Sequence, residues 1–314
     1  MSFLKKPLEQ KMWQNCKKAL KEHAFSLYPF YKGVYAPMKE VFLSDKPQVL
    51  TYTHLAKESQ GRRAQMEDRH FIIEGEKGIL VGVLDGHNGV QVANYAAYRF
   101  LEQFFSTLEF YEYNVYQAFI HFFELIQEEI EKHHPGWDQI GCTAVISYLE
   151  KETNYVYTAT LGDSEANIYR LIKGHRRSIP LSCIRNWSSK RDFASAKAAL
   201  GVALPRKKNP KEMRHPPPGE SVHSGFGLNV SRALGDVAYK GVIHSPKITL
   251  TTLLPGDVLL LACDGLKDFV LEKEIMQIID LHQGKDTLVE ELIDYAISFK
   301  KSTDNVTILA VFVG

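Results

Sequence analysis

The sequence predicts an α+β protein in which a central antiparallel β-sandwich is flanked by pairs of helices, in four layers ordered α-β-β-α. The first observation behind this prediction is the order of the elements: strands, two helices, strands, an insertion, strands, two helices and a final strand. A doubly wound parallel sheet would instead alternate strands with helices. The second observation is the alternation of side chains within residues 155–161, which is typical of a strand with two different faces.

The first half of the chain is predicted to contain six strands and two helices. The strands fall at about 47–54, 69–74, 79–84, 142–149, 155–161 and 165–172, and the helices at 89–107 and 113–133. The second helix carries one apolar stripe, which runs from Val115 through Phe122 to Ile130 at helical spacing. We expect this stripe to face the core.

The second half begins with a change of composition. Residues 174–227 are rich in proline and in basic residues, which predicts a long surface insertion with a short helix near 190–200. Regular structure is then expected to resume. The predicted strands lie near 247–252, 257–263 and 306–313, and the predicted helices at about 271–281 and 286–299.

Residues 1–46 are predicted to be an N-terminal extension to one large domain at residues 47–314. Within the extension, residues 5–24 have the pattern of an amphipathic helix, because Leu8, Met12 and Cys16 recur every four residues among lysines. Two interpretations remain open. The helix packs on the main domain, or it presents a basic face to a partner or to a membrane surface.

Composition narrows the class of protein. The 314 residues carry a net charge of +1, which does not favour a nucleic-acid partner. The apolar run at 258–263 is too short to be a transmembrane segment, and the N-terminus lacks the apolar region of a secretory signal. The four cysteines form no C-x-x-C pair, as expected for reduced thiols in a cytosol. We expect a cytoplasmic monomer, and secretion of a bacterial effector into a host cell stays open as an alternative.

Five aspartates stand in short motifs at or near the ends of strand-like runs: Asp68, Asp85, Asp163, Asp264 and Asp304. Burying a carboxylate beside an apolar strand is costly unless a positive charge offsets it. Several converging carboxylates repel one another, so a hard cation is their natural partner. Each motif alone is also typical of a turn. Their combination predicts a polynuclear Mg²⁺ or Mn²⁺ site, and two metals that hold a water can hydrolyse phosphoesters.

The neighbours of these aspartates fit the same chemistry. After Asp85, Gly86 lets its own backbone carbonyl approach a metal, and His87 is suited to protonating a phosphoester leaving group. Before Asp68, Glu67 completes a carboxylate pair that either holds a metal or orients an arginine of the preceding Gly-Arg-Arg sequence. Asp268 follows Asp264 by four residues, so it either faces the same cation or favours a helix N-terminus.

The chain resembles the protein phosphatase 2C family of metal-dependent serine/threonine phosphatases. The matching stretches occur in the family's order and cover about residues 50–313. They are 61–68 (GRRAQMED), 83–89 (VLDGHNG), 141–144 (GCTA), 160–164 (TLGDS), 230–236 (VSRALGD), 261–268 (LACDGLKD) and 303–307 (TDNVT). The resemblance implies a β-sandwich flanked by helices, with a two-metal centre in a cleft at one end.

The resemblance also implies a role for each matching residue. Asp85 would bridge two metals, of which Asp264 and Asp304 would hold one, and Glu67 and the Gly86 carbonyl the other, largely through waters. Asp163 and Asp268 match a weaker third metal site that Asp264 shares. Arg63 matches the phosphate-binding arginine, and His87 matches the proposed general acid. Residues 174–227 take the place of the flap subdomain, which borders the cleft.

Two departures from the family pattern bear on the site. Glu165 stands where the family often has arginine, which adds negative charge near Asp163 and leaves the occupancy of the third metal site open. The flap lacks the Asp-His-Lys-Pro stretch that family members often carry. Substrate preference therefore cannot be transferred from relatives.

The predicted function is hydrolysis of phosphoserine or phosphothreonine in proteins by a water that two metals activate. Two alternatives stay open at this stage. One is a catalytically weak pseudophosphatase that serves as an adaptor. The other is a phosphatase for a small phosphoester, for which the flap offers basic side chains: Arg206, Lys207, Lys208, Lys211 and Arg214.

Overall fold

The computed structural model describes residues 49–184, 186–205, 207, 212–223, 227–282 and 286–314. These residues belong to one compact unit, Pro47–Gly314. The helix expected at residues 5–24 lies outside the described residues, as do Arg206, Lys208 and Lys211 of the flap. No helix in the described ranges has both the length and the apolar composition needed to cross a membrane.

The described residues form thirteen strands and six α-helices. The strands are β1 (Tyr52–Ser59), β2 (Arg69–Glu74), β3 (Gly78–Leu84), β4 (Gly86–His87), β5 (Gly141–Cys142), β6 (Ala144–Glu150), β7 (Tyr155–Leu161), β8 (Glu165–Ile172), β9 (His175–Pro180), β10 (Leu234–Gly235), β11 (Lys247–Thr252), β12 (Val258–Ala262) and β13 (Val306–Val313). The helices are α1 (Gln91–Phe110), α2 (Val115–His133), α3 (Lys190–Leu200), α4 (Asp264–Lys267), α5 (Glu272–His282) and α6 (Leu288–Asp294), and a π-helical turn, Tyr295–Phe299, follows α6.

Two five-stranded sheets, antiparallel throughout, form the centre of the molecule. One has the strand order β1-β13-β12-β8-β9, and the other has the order β11-β7-β6-β3-β2. A third, three-stranded sheet in the order β10-β5-β4 extends from one end of the sandwich. It arises because the strand expected at 142–149 is divided at Thr143, whose backbone N–H donates to the carbonyl of Asp85 at 2.8 Å.

Three apolar cores separate four layers. The first lies between the β2-containing sheet and helices α1 and α2, and it is rich in phenylalanine, including Phe100 and Phe122. The second lies between the two sheets and includes Val81 and Leu261. The third lies between the β1-containing sheet and helices α5 and α6. The predicted α-β-β-α sandwich is therefore confirmed.

Central strands read as continuous apolar runs because both of their faces are covered. All seven residues of β3 are buried. Leu80 and Leu84 point towards the helices, whereas Val81 and Val83 point towards the other sheet. The alternation of side chains along a strand thus supplies two cores at once.

The first predicted strand, at 47–54, was misplaced. The structure starts β1 at Tyr52 and continues it to Ser59, in register with the whole of β13 from Val313 back to Val306. This strand lies at the edge of its sheet, and none of its eight residues is buried. Its second half therefore lacks the apolar signal on which a sequence-based prediction depends.

The segment 174–227 was wrongly predicted to be a surface insertion throughout. Residues His175–Pro180 form β9, the outer strand of the first sheet, and the expected short helix is α3. The segment also contributes to a core of its own, in which Trp187, Leu204 and Met213 pack against Leu228. A buried ion pair lies beside this core: Asp192 on α3 accepts hydrogen bonds from both Nε and Nη2 of the buried Arg232.

Candidate active site

The predicted metal ligands converge at one end of the sandwich because adjacent antiparallel strands start and end there. Asp85 follows the last residue of β3, and Asp68 precedes the first residue of β2, whose Arg69 pairs with Leu84. Asp264 follows β12 by two residues, and Asp304 precedes β13 by two. Asp163 lies in the turn between β7 and β8.

Burial and mutual repulsion together raise the pKa of carboxyls in this cluster. Burial raises the pKa of Asp85 well above its usual range, and the charges of Asp68, Asp264, Asp163 and Asp304 add to the effect. Burial, followed by the charges of Asp163, Asp304 and Asp268, raises the pKa of Asp264 to about 8. The described part of the chain thus holds an excess of negative charge here that divalent cations would neutralise.

Asp68 is the most enclosed of the predicted ligands. Its side chain is only 1% exposed, and Thr307 donates a hydrogen bond from Oγ1 to Asp68 Oδ2 at 2.7 Å. Burial raises its pKa to about 6 despite that hydrogen bond. Asp68 and Asp85 also form a group with Cys263 in which one ligand atom from each residue lies within 4.8 Å of the others. Neither Cys263 nor Thr307 was among the site residues predicted from the sequence.

Arg63 lies at the open side of the cluster. Its Nη2 donates to Asp304 Oδ2 at 2.7 Å, and its side chain is 55% exposed. Asn305 positions the loop that carries it, because Asn305 Nδ2 donates to the carbonyl of Gln60 at 2.9 Å and its Oδ1 accepts from the backbone N–H of Glu67. One amide side chain therefore holds both Arg63 and Glu67 next to the carboxylates.

Two glycines permit close backbone contacts at the centre. A Cβ on Gly86 would lie 2.5 Å from the carbonyl oxygen of Glu67, so a larger residue would push the 61–68 loop away. A Cβ on Gly265 would overlap the carbonyl oxygen of Asn305. The Asp-Gly pairs of the sequence thus have a packing reason in addition to the ligand role expected of the Gly86 carbonyl.

The residues expected to form a third metal site lie around Asp264. Asp268 is exposed, and its backbone N–H donates to the carbonyl of Asp264 at 2.8 Å. The negative charge that Glu165 adds is partly offset, because Lys267 Nζ lies 3.3 Å from Glu165 and 2.7 Å from Glu272. The Lys267 side chain is 5% exposed, whereas those of Glu165 and Glu272 are 22% and 40% exposed, so only the lysine of this cluster is shielded from water.

His87 faces a carboxylate that the sequence did not single out. Its Nε2 lies 2.7 Å from Oδ2 of Asp236, whose side chain is fully buried. Burial alone would lower the pKa of His87, but the charge of Asp236 and this hydrogen bond outweigh it and raise the pKa. The neighbouring charges of Asp163 and Glu67 act in the same direction. His87 therefore tends to carry the proton that a general acid needs.

A cluster of carboxylates at one end of an α-β-β-α sandwich suits a phosphatase that uses divalent cations. The arginine beside the cluster and the histidine with a raised pKa fit the same class of enzyme. The family model for "Protein phosphatase 2C" matches residues 52–180 and 218–306, which is more than half of the chain. The protein belongs to the protein phosphatase 2C family.

Relatives and solved structures agree with this family. "Protein phosphatase 2C 1" of Paramecium tetraurelia is 29% identical over 77% of this chain and 81% of its own length. A "Protein kinase and PP2C-like domain-containing protein" of Arabidopsis thaliana is 28% identical over 80% of this chain, which spans only 38% of that protein.

The fold of serine-threonine phosphatase 2C from Toxoplasma gondii matches 84% of this chain and 95% of its own with a TM-score of 0.69 and 19% identity. The catalytic domain of the serine threonine protein phosphatase PstP, solved in complex with two manganese ions, covers 84% of this chain and 99% of its own. Its TM-score is 0.53 and its identity 20%.

Proposed function

We propose that this protein hydrolyses phosphoserine and phosphothreonine esters of protein substrates at the carboxylate cluster around Asp85. As a member of its family it is a protein-serine/threonine phosphatase that depends on metal. The observation that carries the detailed proposal is the set of carboxyls whose pKa is raised by burial and by one another's charge, since such a cluster calls for divalent cations. The two manganese ions in the PstP catalytic domain support the same cofactor here.

The donor set fits Mg²⁺ or Mn²⁺, because it consists of carboxylate and carbonyl oxygens. Two ions would be held by Asp85, Asp264, Asp304, Glu67 and the Gly86 carbonyl, with Asp163 and Asp268 available for a third beside Asp264. When bound, such ions supply positive charge for the phosphoryl oxygens and lower the pKa of the water that attacks phosphorus. Asp68 is a further candidate ligand, because it lies in the same group as Asp85, with ligand atoms within 4.8 Å of one another.

The chain's own side chains supply the rest of the chemistry. Arg63 presents a guanidinium fork beside the carboxylates, which suits two oxygens of a phosphoryl group. Its present contact with Asp304 keeps it at the edge of the cluster. His87 donates a proton to the serine or threonine oxygen as its bond to phosphorus breaks.

The test is release of phosphate from a phosphothreonine peptide in Mn²⁺, in Mg²⁺ and in EDTA. We expect turnover only with metal, and none in Asp264→Asn. Asp280→Asn is the matched control, because Asp280 pairs with Arg176 on the far side of the β1-containing sheet. Metal binding by calorimetry without turnover would contradict the proposal and favour an adaptor. Faster turnover of small phosphoesters than of phosphopeptides would favour a small substrate.

A further inference from the structure

Asp236 has one side-chain partner among the residues that the structure describes. Its carboxylate is fully buried, and Oδ2 lies 2.7 Å from Nε2 of His87, 149 positions away in the sequence. Its other oxygen, Oδ1, has no hydrogen-bond partner in the described part of the chain. A buried carboxylate is costly unless it is paired. The His87 contact is therefore what compensates Asp236 for its burial.

The three-stranded sheet brings His87 and Asp236 close enough to make this contact. Across β4, β5 and β10, His87 pairs with Gly141, and Gly141 pairs with Gly235, so the three residues stand in one row. A Cβ on Gly141 would collide with Oδ2 of Asp236 and would come within 2.6 Å of Nε2 of His87. Only glycine at this position leaves space for the hydrogen bond above the strand.

The backbone of Asp236 is held in an uncommon conformation. Its φ of +50° lies in the left-handed region, which asparagine and aspartate tolerate better than most residues. Gln127 of α2 fixes the preceding residue, because its Oε1 accepts from Gly235 N and its Nε2 donates to Gly235 O. The Asp236 N–H also donates to Ile140 O at 2.9 Å. These hydrogen bonds hold the backbone of residues 235 and 236 in place and so fix the position from which the Asp236 side chain reaches His87.

We propose that Asp236 is a positioning residue for His87. An ionised carboxylate only accepts hydrogen bonds, so His87 donates from Nε2, which fixes the ring and reserves Nδ1 for the substrate. When the phosphorus–oxygen bond breaks, its electron pair moves to the serine or threonine oxygen. That oxygen takes the proton from His87 Nδ1, and Asp236 keeps both its charge and its hydrogen bond. This inference rests on the function proposed above.

The positioning role predicts a dependence on the leaving group. A serine or threonine alkoxide is a poor leaving group that needs a proton, whereas p-nitrophenolate leaves without one. Asp236→Asn should therefore lower kcat for a phosphothreonine peptide by about 10- to 100-fold, the loss typical when the hydrogen-bond partner of a metal-ligating histidine is removed. We expect kcat for p-nitrophenyl phosphate and both KM values to stay within about 3-fold.

The dependence on His87 separates positioning from a structural role. In a His87→Gln background, adding Asp236→Asn should cost nothing further with the peptide, because both changes remove one function. Asp257→Asn is the matched control, since Asp257 is as buried as Asp236 but pairs with Arg170 outside the site. It should affect both substrates equally.

The metal-free protein gives an independent measurement. In ¹H–¹⁵N spectra of the histidine rings, the Nε2–H signal of His87, assigned with His87→Gln, should be shifted downfield and should move upfield in Asp236→Asn. If Asp236→Asn does not fold, Gly141→Ala displaces the same contact and should give the same split between substrates. Equal losses on both substrates, or an added loss in the His87→Gln background, would overturn the inference. No turnover by the wild-type protein with any metal would overturn the proposed function as well.

Discussion

Arg63 and Asp304, which are 241 positions apart in the sequence, meet at 2.7 Å through Nη2 and Oδ2. This contact links the residue expected to bind phosphate to one expected to bind metal. The same carboxylate oxygen cannot serve a cation and Arg63 with full strength at once. We therefore expect metal binding to weaken this pair and to leave the guanidinium fork for the substrate.

Replacing Arg63 with lysine should keep the charge but lose the fork that contacts two oxygens. We expect kcat/KM for a phosphothreonine peptide to fall by about 10- to 100-fold, with metal affinity by calorimetry unchanged or slightly higher. Arg62→Lys is the control, because Arg62 is an exposed neighbour in the same loop. Equal effects of the two substitutions would remove Arg63 from phosphate binding.

The carboxylates that are expected to bind metal should destabilise the fold when no metal is bound. At about pH 9, where Asp264 is ionised in the folded chain, Asp264→Asn removes one charge from a group whose members repel one another. The metal-free protein should therefore become more stable at this pH, with a Tm higher by a few degrees. The same variant should lose most of its affinity for Mn²⁺ in calorimetry. Asp257→Asn should do the opposite, lowering the Tm without affecting metal binding, because Asp257 is paired with Arg170. A lower Tm for metal-free Asp264→Asn would contradict this account of the cluster.

Stability of the metal-free protein should depend on pH in a direction that the raised pKa values determine. Asp68 and Asp264 keep their protons up to pH values of about 6 and about 8 in the folded chain, above the usual 3.8 of aspartate. Between pH 3.8 and about 8, the folded state thus binds more protons than the unfolded state. The free energy of unfolding therefore falls as pH rises through this range. His87, whose pKa is also raised, acts in the same direction.

Urea denaturation in EDTA at about pH 5.5 and about pH 8.5 would measure this dependence. We expect lower stability at the higher pH, and a smaller difference in Asp264→Asn. Saturating Mg²⁺ should remove most of the decrease, because the cation binds the ionised carboxylates of the folded state alone. Stability that rises with pH in EDTA would contradict the raised pKa values.

The sandwich and the acidic cluster were predictable because their signals are local. Apolar strands such as β3 and β12 are buried on both faces. Asp85-Gly86 follows β3 directly, and Asp264-Gly265 follows β12 after one residue. Strand β9 left no such signal. It follows β8 through a two-residue turn in which Lys173 and Gly174 both have positive φ, and only one of its six residues is buried.

The partners of site residues were less predictable than the residues themselves. Asp236 stands in the 230–236 motif that resembles the family, but its contact with His87 spans 149 positions and depends on the row formed by Gly141 and Gly235. Cys263 looked like the last apolar residue of a strand, although it lies against Asp68 and Asp85. Such relationships follow from strand register, which a single sequence specifies only through the whole fold.

The stability of the flap segment should depend on one buried ion pair. Asp192 of α3 accepts from Ser231 and, at two atoms, from Arg232, and both charged side chains are at most 2% exposed. Removing one partner leaves an uncompensated buried charge, so Asp192→Leu should lower the free energy of unfolding by about 3–5 kcal/mol. Replacing both residues, with Asp192→Leu and Arg232→Met, should recover much of this loss, because apolar residues of similar volume can replace a buried pair.

The fluorescence of Trp187 reports on how Asp192→Leu affects the flap core. It is fully buried in the flap core, where its Nε1 donates to Leu228 O at 3.0 Å. Asp192→Leu should open this core and shift the Trp187 emission to longer wavelength before the rest of the domain unfolds, and the double variant should restore it. The contribution of Trp187 is the difference between the emission spectra recorded with and without Trp187→Phe, which removes the emission of the other two tryptophans. Loss of Trp187 burial only together with global unfolding would instead make the flap part of one cooperative unit with the sandwich.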